Sequence, residues 1–107
     1  MSRAQRDKGK RGEREVAAIL RAHGFDARRD GRLDSDLVHD VAGYHIEVRR
    51  RETLALPAWT RDAEQTAAGR VPVVVHRRNA EGWYASLPFD ALARLLAIER
   101  DTQRGAV

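Results

Sequence analysis

The sequence contains no cysteine among its 107 residues. A disulfide framework and a thiolate zinc site are therefore excluded, and an apolar core or a partner subunit must supply the stability of the fold. No apolar run reaches the length of a membrane span, and the basic residues at the start of the chain are not followed by an apolar segment. These absences predict a soluble, cytoplasmic protein that does not insert into a membrane.

Lysine is also scarce, because Lys8 and Lys10 are the only lysines among 20 basic residues. The formal net charge is +4, and the planar side chain of arginine can donate several hydrogen bonds to one phosphate. The bias towards arginine therefore favours a polyanionic partner, with nucleic acid as the first candidate. A GC-rich genome would produce the same bias, so the composition alone does not identify that partner.

The length of the chain suits one compact domain, which we expect to span residues 8–100. The polar residues 1–7 are predicted to form a flexible basic arm, and residues 101–107 a frayed tail. Between them, apolar periodicity and turn residues predict three helices and five strands. The helices are expected at residues 10–23, at residues 57–68 and from Pro88 onwards, and the strands at residues 25–29, 36–39, 44–50, 71–76 and 83–87.

The order of these elements is helix, three strands, helix, strand, strand, helix. This order predicts an α/β fold in which a mixed sheet is flanked by helices and followed by a C-terminal helix. The first three strands are short and are separated by turn residues, so we expect them to form a three-stranded meander.

Two acids on neighbouring predicted strands are candidate metal ligands. Alternation along residues 44–50 places Glu47 and Arg49 on the face opposite to that of the apolar residues. Asp36 begins the preceding strand, and pairing of the two strands would bring its carboxylate beside that of Glu47. Carboxylate oxygens suit Mg²⁺, an ion that phosphodiester hydrolysis can use. The alternative is that both are ordinary solvent-facing acids on a half-exposed sheet.

Glu13 lies at the edge of the apolar stripe of the first helix, in register with Leu20. An acid that points towards the core is costly unless a bound cation or an arginine compensates its charge. The neighbouring Glu15 falls outside that stripe. The alternative for Glu13 is a helix-start acid that the helix macrodipole stabilises.

Three stretches of the chain resemble one family in content and in order: KGKRGEREVAAILRAHGFDARR, SDLVHDVAGYHIEVRRRE and RVPVVVHRRNAEGWYASL. Together they cover most of residues 8–96. They resemble the archaeal and phage Holliday junction resolvases of the PD-(D/E)xK superfamily, whose fold is restriction-endonuclease-like. The resemblance implies an αβββαβ core and a metal-dependent endodeoxyribonuclease activity on branched DNA.

The resemblance also implies a role for each candidate residue. Asp36 and Glu47 would bind Mg²⁺, for which Mn²⁺ can substitute, and the backbone carbonyl of Val48 would be a further ligand. Glu13 would hold a metal-bound water, and Arg49 stands where the family has its catalytic lysine. A homodimer is also expected, because symmetric cleavage of a four-way junction needs two sites related by a two-fold axis.

The expected DNA contacts are basic residues spread over several of the predicted elements. For Arg77 and Arg78 the expectation follows from similar phage proteins, in which such arginines at the end of the buried strand look like phosphate contacts. The complete set is Lys8, Lys10, Arg11, Arg28, Arg29, Arg51, Arg77 and Arg78.

The chain departs from the family pattern at several positions. Ser35 replaces the proline before the aspartate, and Asp34 and Asp40 stand close enough to compete with Asp36 for the metal. Arg49 replaces the lysine, and arginine stays charged in essentially any protein environment, so Arg49 is not a general base. Two alternatives follow: a catalytically weakened DNA-binding relative, and a basic interaction module unconnected with nucleic acid.

Overall fold

The computed structural model describes residues 3–29 and 37–105. Within them, three α-helices and five β-strands follow one another in the order that the sequence predicts. The helices are α1 (Arg3–Ala22), α2 (Leu56–Ala67) and α3 (Phe89–Gly105). The strands are β1 (Ala27–Arg29), β2 (Leu37–His39), β3 (Tyr44–Arg50), β4 (Val71–Arg77) and β5 (Tyr84–Ser86).

The strands β3, β4 and β5 form a mixed sheet with β4 in the centre. β3 and β4 run parallel, with their ladder extending from Tyr44 opposite Val71 to Arg50 opposite Arg77. β5 runs antiparallel to β4 on its other side. The expected α/β fold is therefore confirmed: an αβββαβ-like core with a mixed sheet, flanking helices and a C-terminal helix.

The first three strands do not form the predicted meander. Among the described residues, β1 and β2 pair only with each other, as an antiparallel hairpin. The N–H of Asp40 donates to the carbonyl of Asp26 at 3.0 Å and closes that hairpin. The chain then turns at Gly43, whose φ of 83° favours glycine. Its carbonyl accepts the N–H of Val71 at 2.8 Å, so β3 joins β4 instead of β2.

Turn residues end α1 and α2 where the sequence predicts. Gly24 follows α1 with a φ of 90°, the left-handed conformation typical of a helix that ends at a glycine. Pro57 lies in the first turn of α2, where its missing N–H costs no helical hydrogen bond. Ala68 and Gly69 follow α2 in left-handed conformations, with φ of 52° and 87°.

Two helix boundaries differ from the expected ones. α1 begins at Arg3, so residues 3–7 of the predicted arm are helical. They include alanine, glutamine and arginine, which favour a helix without the apolar periodicity on which the prediction depends. α3 continues to Gly105, so residues 101–105 of the predicted tail are helical as well. No helix in the described part of the chain is long and apolar enough to cross a membrane.

The core lies between α1 and the sheet. Val16 and Ala17 of α1 belong to one buried cluster with Ile46 and Val48 of β3. Because side chains alternate along a strand, Glu47 between them points to the opposite face of β3, the side on which α2 packs. The alternation predicted for this strand is therefore confirmed, and it determines where the candidate site can form.

Gly12 allows α1 to lie close to β3. A Cβ atom at this position would lie 3.2 Å from Cη2 of Trp83 and 3.3 Å from Cβ of Arg50, which is tighter than ordinary van der Waals contact. Gly9, about one turn earlier in the same helix, has no heavy atom within 4 Å of the position of a Cβ. A larger side chain at Gly12 would therefore displace Trp83 or Arg50, whereas a larger side chain at Gly9 has open space.

We expect Gly12→Leu to destabilise the fold by about 1–3 kcal/mol, because the side chain must push α1 away from the sheet. Gly9→Leu is the matched control, and it should stabilise the fold by about 0.5–1 kcal/mol because leucine favours a helix where glycine does not. Urea unfolding of both variants measures the difference. Equal stability of the two variants would show that α1 does not pack closely at Gly12.

Candidate active site

Glu47 is held between two basic side chains of its own strand. Its Oε1 lies 3.1 Å from Nε2 of His45, and its Oε2 accepts a hydrogen bond from Nη2 of Arg49 at 3.2 Å. All three side chains are largely buried, with 12 % of that of Glu47 exposed. The carboxylate thus lies in a partly desolvated position where opposite charges act more strongly than in water.

A cavity of about 210 Å³ lies beside His45, between β2, β3 and α2. Its polar lining includes His39 and Arg70, and Nη2 of Arg70 lies 3.5 Å from Nδ1 of His45. The N–H of Val41 donates to Nδ1 of His39 at 3.1 Å. Burial lowers the pKa of His39 below its usual value, and the charge of Arg70 adds to this. His39 therefore stays neutral to a lower pH than an exposed histidine does.

His76 lies opposite Arg49 in the ladder between β3 and β4. It is only 8 % exposed, its Nε2 lies 3.1 Å from Oγ of Ser86, and its ring stacks on that of Tyr84. Burial lowers the pKa of His76. At neutral pH it therefore adds no positive charge beside Arg49, which is the strong cation at this level of the sheet.

Glu13 is 2 % exposed, which confirms that it faces the protein. Its Oε2 lies 3.3 Å from Nε of Arg29 on β1, so an arginine compensates its charge. This contact also engages one of the expected DNA contacts. Glu13 approaches from α1, whereas Glu47 points to the face of β3 that α2 covers, so the two acids lie on different sides of that strand.

Asp36, Asp34 and Ser35 lie outside the described residues, so the role of Asp36 stays a prediction. Among the described residues β2 does not pair with β3, the pairing on which that prediction depended. Glu13 and Glu47 lie on different sides of β3, so these two acids do not converge on one cation. Among residues 3–29 and 37–105, no group of three or more histidine, aspartate and glutamate side chains is arranged to hold a metal ion.

Asp40, the other acid weighed against Asp36, has a structural contact. Its Oδ1 accepts the N–H of Asp26 at 2.8 Å, which joins the ends of β1 and β2. One of its two carboxylate oxygens is therefore committed to the hairpin.

The expected DNA contacts differ in their exposure. Lys8, Lys10, Arg51 and Arg77 are half-buried, and Arg11, Arg28 and Arg78 are exposed. Arg78 donates to Oε1 of Glu81 at 2.6 Å. The hydrogen bond and charge of Glu81 raise the pKa of Arg78, and Arg78 lowers that of Glu81 in turn. Exposed ion pairs contribute little to stability, so a phosphate can compete with Glu81 for this arginine.

Glu15 is the residue of this region that the sequence did not single out. Its Oε1 accepts from Nη1 of Arg50 at 3.3 Å, and its Oε2 accepts from Nη1 of Arg77 and Nε1 of Trp83, each at 3.0 Å. The guanidinium of Arg77 also lies 5.7 Å from the centre of the Trp83 ring, a cation–π distance. One carboxylate thus joins α1 to the C-terminal ends of β3 and β4.

The position of Gly12, three residues before Glu15, is the sequence signal that could have identified it. A glycine that allows close packing and an acid three residues later lie on the same side of a helix. The apolar stripe of α1 alone does not indicate a role for Glu15.

Comparison with protein-family models found no match to this chain, and comparison with curated proteins found none either.

The chemistry of the acids fits a hard divalent cation. Glu13 and Glu47 offer carboxylate oxygens, the ligands that Mg²⁺ prefers, and both lie in positions shielded from water. Glu47 is compensated by Arg49, so a metal ion that bound Glu47 would compete with this arginine, whereas Glu13 is compensated by Arg29 on the other side of β3.

We expect Mg²⁺ to stabilise the protein against thermal unfolding, by about 2.7 kcal/mol when its concentration is one hundred times its dissociation constant. Glu47→Gln should remove this effect because it removes a ligand. Glu15→Gln is the matched control, since it changes a carboxylate that lies outside the proposed metal site and should leave the Mg²⁺ effect intact. An unchanged Mg²⁺ effect in Glu47→Gln would exclude Glu47 as a ligand.

Proposed function

We propose that this chain is a metal-dependent endodeoxyribonuclease that hydrolyses phosphodiester bonds of branched DNA. The observation that carries the proposal is the pair formed by Glu47 and Arg49, which lie side by side on one face of β3 with 3.2 Å between Oε2 and Nη2. The resemblance of three stretches to the resolvases supports it.

Hydrolysis of a phosphodiester requires that the charge of the scissile phosphate be neutralised and that a water be made nucleophilic, and a bound Mg²⁺ supplies both. Asp36 and Glu47, with the backbone carbonyl of Val48, would hold this ion. Glu13 lies on the other side of β3 and is not one of the proposed ligands. Arg49 remains protonated, so its role is to stabilise negative charge that develops on the phosphate. It cannot accept a proton from the attacking water.

The basic residues give this site its proposed substrate. The net charge of +4 and the arginines at the C-terminal ends of β3 and β4 favour a DNA backbone over a neutral ligand. A homodimer would place two such sites around a two-fold axis, as symmetric cleavage of a four-way junction requires. The resemblance to the resolvases makes four-way junctions the proposed substrate within the class of branched DNA.

A second candidate function is DNA binding without cleavage. The ion pair between Arg49 and Glu47 favours it, because a permanently charged side chain compensates the acid and cannot transfer a proton. The effect of Arg49→Lys on the rate of cleavage distinguishes the two candidates, because this substitution introduces the lysine of the resolvases.

We expect the wild-type protein to cleave a labelled four-way junction in the presence of Mg²⁺, and Arg49→Lys to change the rate by less than about tenfold. The reason is that a charged side chain is retained, while a metal-bound water needs little help from a side-chain base. An inert wild type whose cleavage Arg49→Lys restores by a factor on the order of 10²–10⁴ would support the second candidate.

The control is Asp36→Asn in the wild-type and Arg49→Lys backgrounds. Loss of a metal ligand should abolish cleavage whichever residue occupies position 49. Cleavage that survives this substitution would contradict the assignment of the site.

A further inference from the structure

A basic pocket lies at the C-terminal end of β3, on the opposite side of that strand from Glu47. It has a volume of about 240 Å³ and is lined by Lys8, Arg50, Arg51, Glu52 and Thr53. Three of these residues are cations and one is an acid. The Oε1 atom of Glu52 accepts the N–H of Asn79 at 2.7 Å, which orients this carboxylate without removing its charge. The pocket therefore carries an excess of positive charge.

Contacts with α1 hold the pocket in place. The Nη1 atom of Arg50 donates to Oε1 of Glu15 at 3.3 Å, and the Arg50 side chain is only 11 % exposed. Lys8 precedes Gly12 by four residues and so lies on the side of α1 that approaches Arg50. Lys8 and Arg50 thus face the same space from two different elements.

Arg51 is held by both its backbone and its side chain. Its N–H donates to the carbonyl of Arg77 at 3.1 Å, and its Nη1 donates to the carbonyl of Arg50 at 3.0 Å. A guanidinium has five N–H donors, so most of the donors of Arg51 are left for a ligand. A positioned guanidinium with a nearby ammonium is suited to a phosphate.

We propose that the pocket of Lys8, Arg50 and Arg51 binds one backbone phosphate of DNA. The inference rests on the proposed function for the identity of the ligand. Ligands of α/β proteins commonly bind beyond the carboxyl ends of parallel strands, which is where this pocket lies. The pocket and Glu47 lie on opposite sides of β3, so the bound phosphate belongs to a part of the DNA away from the bond that is cut.

The test replaces Arg51 and Lys8, because Arg50 is buried and its loss would disturb the fold. Fluorescence anisotropy measures binding to a labelled four-way junction without divalent cations, at salt concentrations from about 50 to 200 mM. We expect Arg51→Gln to weaken binding about tenfold and to lower the slope of log K against log salt by about 0.9. The double variant Lys8→Gln/Arg51→Gln should not lower the slope of log K against log salt further than Arg51→Gln does, because both residues bind the same phosphate.

Arg94→Gln is the matched control, since Arg94 is an exposed arginine of α3. It should change neither the affinity nor the slope. The inference is overturned if Arg51→Gln and Lys8→Gln bind as Arg94→Gln does.

Neutral methylphosphonate linkages, introduced one at a time into the junction, locate the phosphate. A methylphosphonate at one position of the junction should weaken binding to the wild-type protein and should not weaken binding to Arg51→Gln any further. A protein that binds in this way but never cleaves would contradict the nuclease function, and it would still support the proposed phosphate pocket. A protein that cleaves, and whose pocket variants bind as the control does, would contradict the pocket alone.

Discussion

The parallel ladder between β3 and β4 is the constraint on which the other features of the structure depend. Because the two strands are in register from Tyr44 to Arg50, Ile46 and Val48 are buried against α1, and Glu47 points to the other face. The same register brings Arg50 beside Arg77 at the end of the sheet, where α1 can reach both. The acid Glu47 and the cation Arg50 thus lie on opposite faces of β3.

Among the residues that the structure describes, arginine compensates each partly buried carboxylate. Arg29 lies beside Glu13, Arg49 beside Glu47, and Arg50 and Arg77 beside Glu15. Removal of one partner of a buried pair leaves an uncompensated charge, which is strongly destabilising. The pairs of Glu13 and Glu15 join α1 to β1 and to the ends of β3 and β4, whereas the pair of Glu47 and Arg49 lies within β3. The proposed metal ion and DNA phosphates would act on the same set of charges.

Local signals predicted much of this structure, and long-range pairing accounts for most of what they missed. Gly24 and Pro57 mark helix ends, and alternation along β3 gives the face of Glu47, because these features depend on neighbouring residues. The separation of β2 from β3 was not predictable, since it depends on a pairing with β4 far along the chain. The role of Glu15 depends on partners 35, 62 and 68 residues away. Burial of Glu13 was predicted correctly, although its partner Arg29 was assigned to DNA.

The most direct test of the account is to locate Mn²⁺ in crystals of the protein by its anomalous scattering. The account predicts a bound ion with carboxylate oxygens of Asp36 and Glu47 at roughly 2.0–2.6 Å. An ion bound away from these acids, with Asp36 and Glu47 on opposite faces of the sheet, would contradict the proposed metal site and the nuclease function that depends on it.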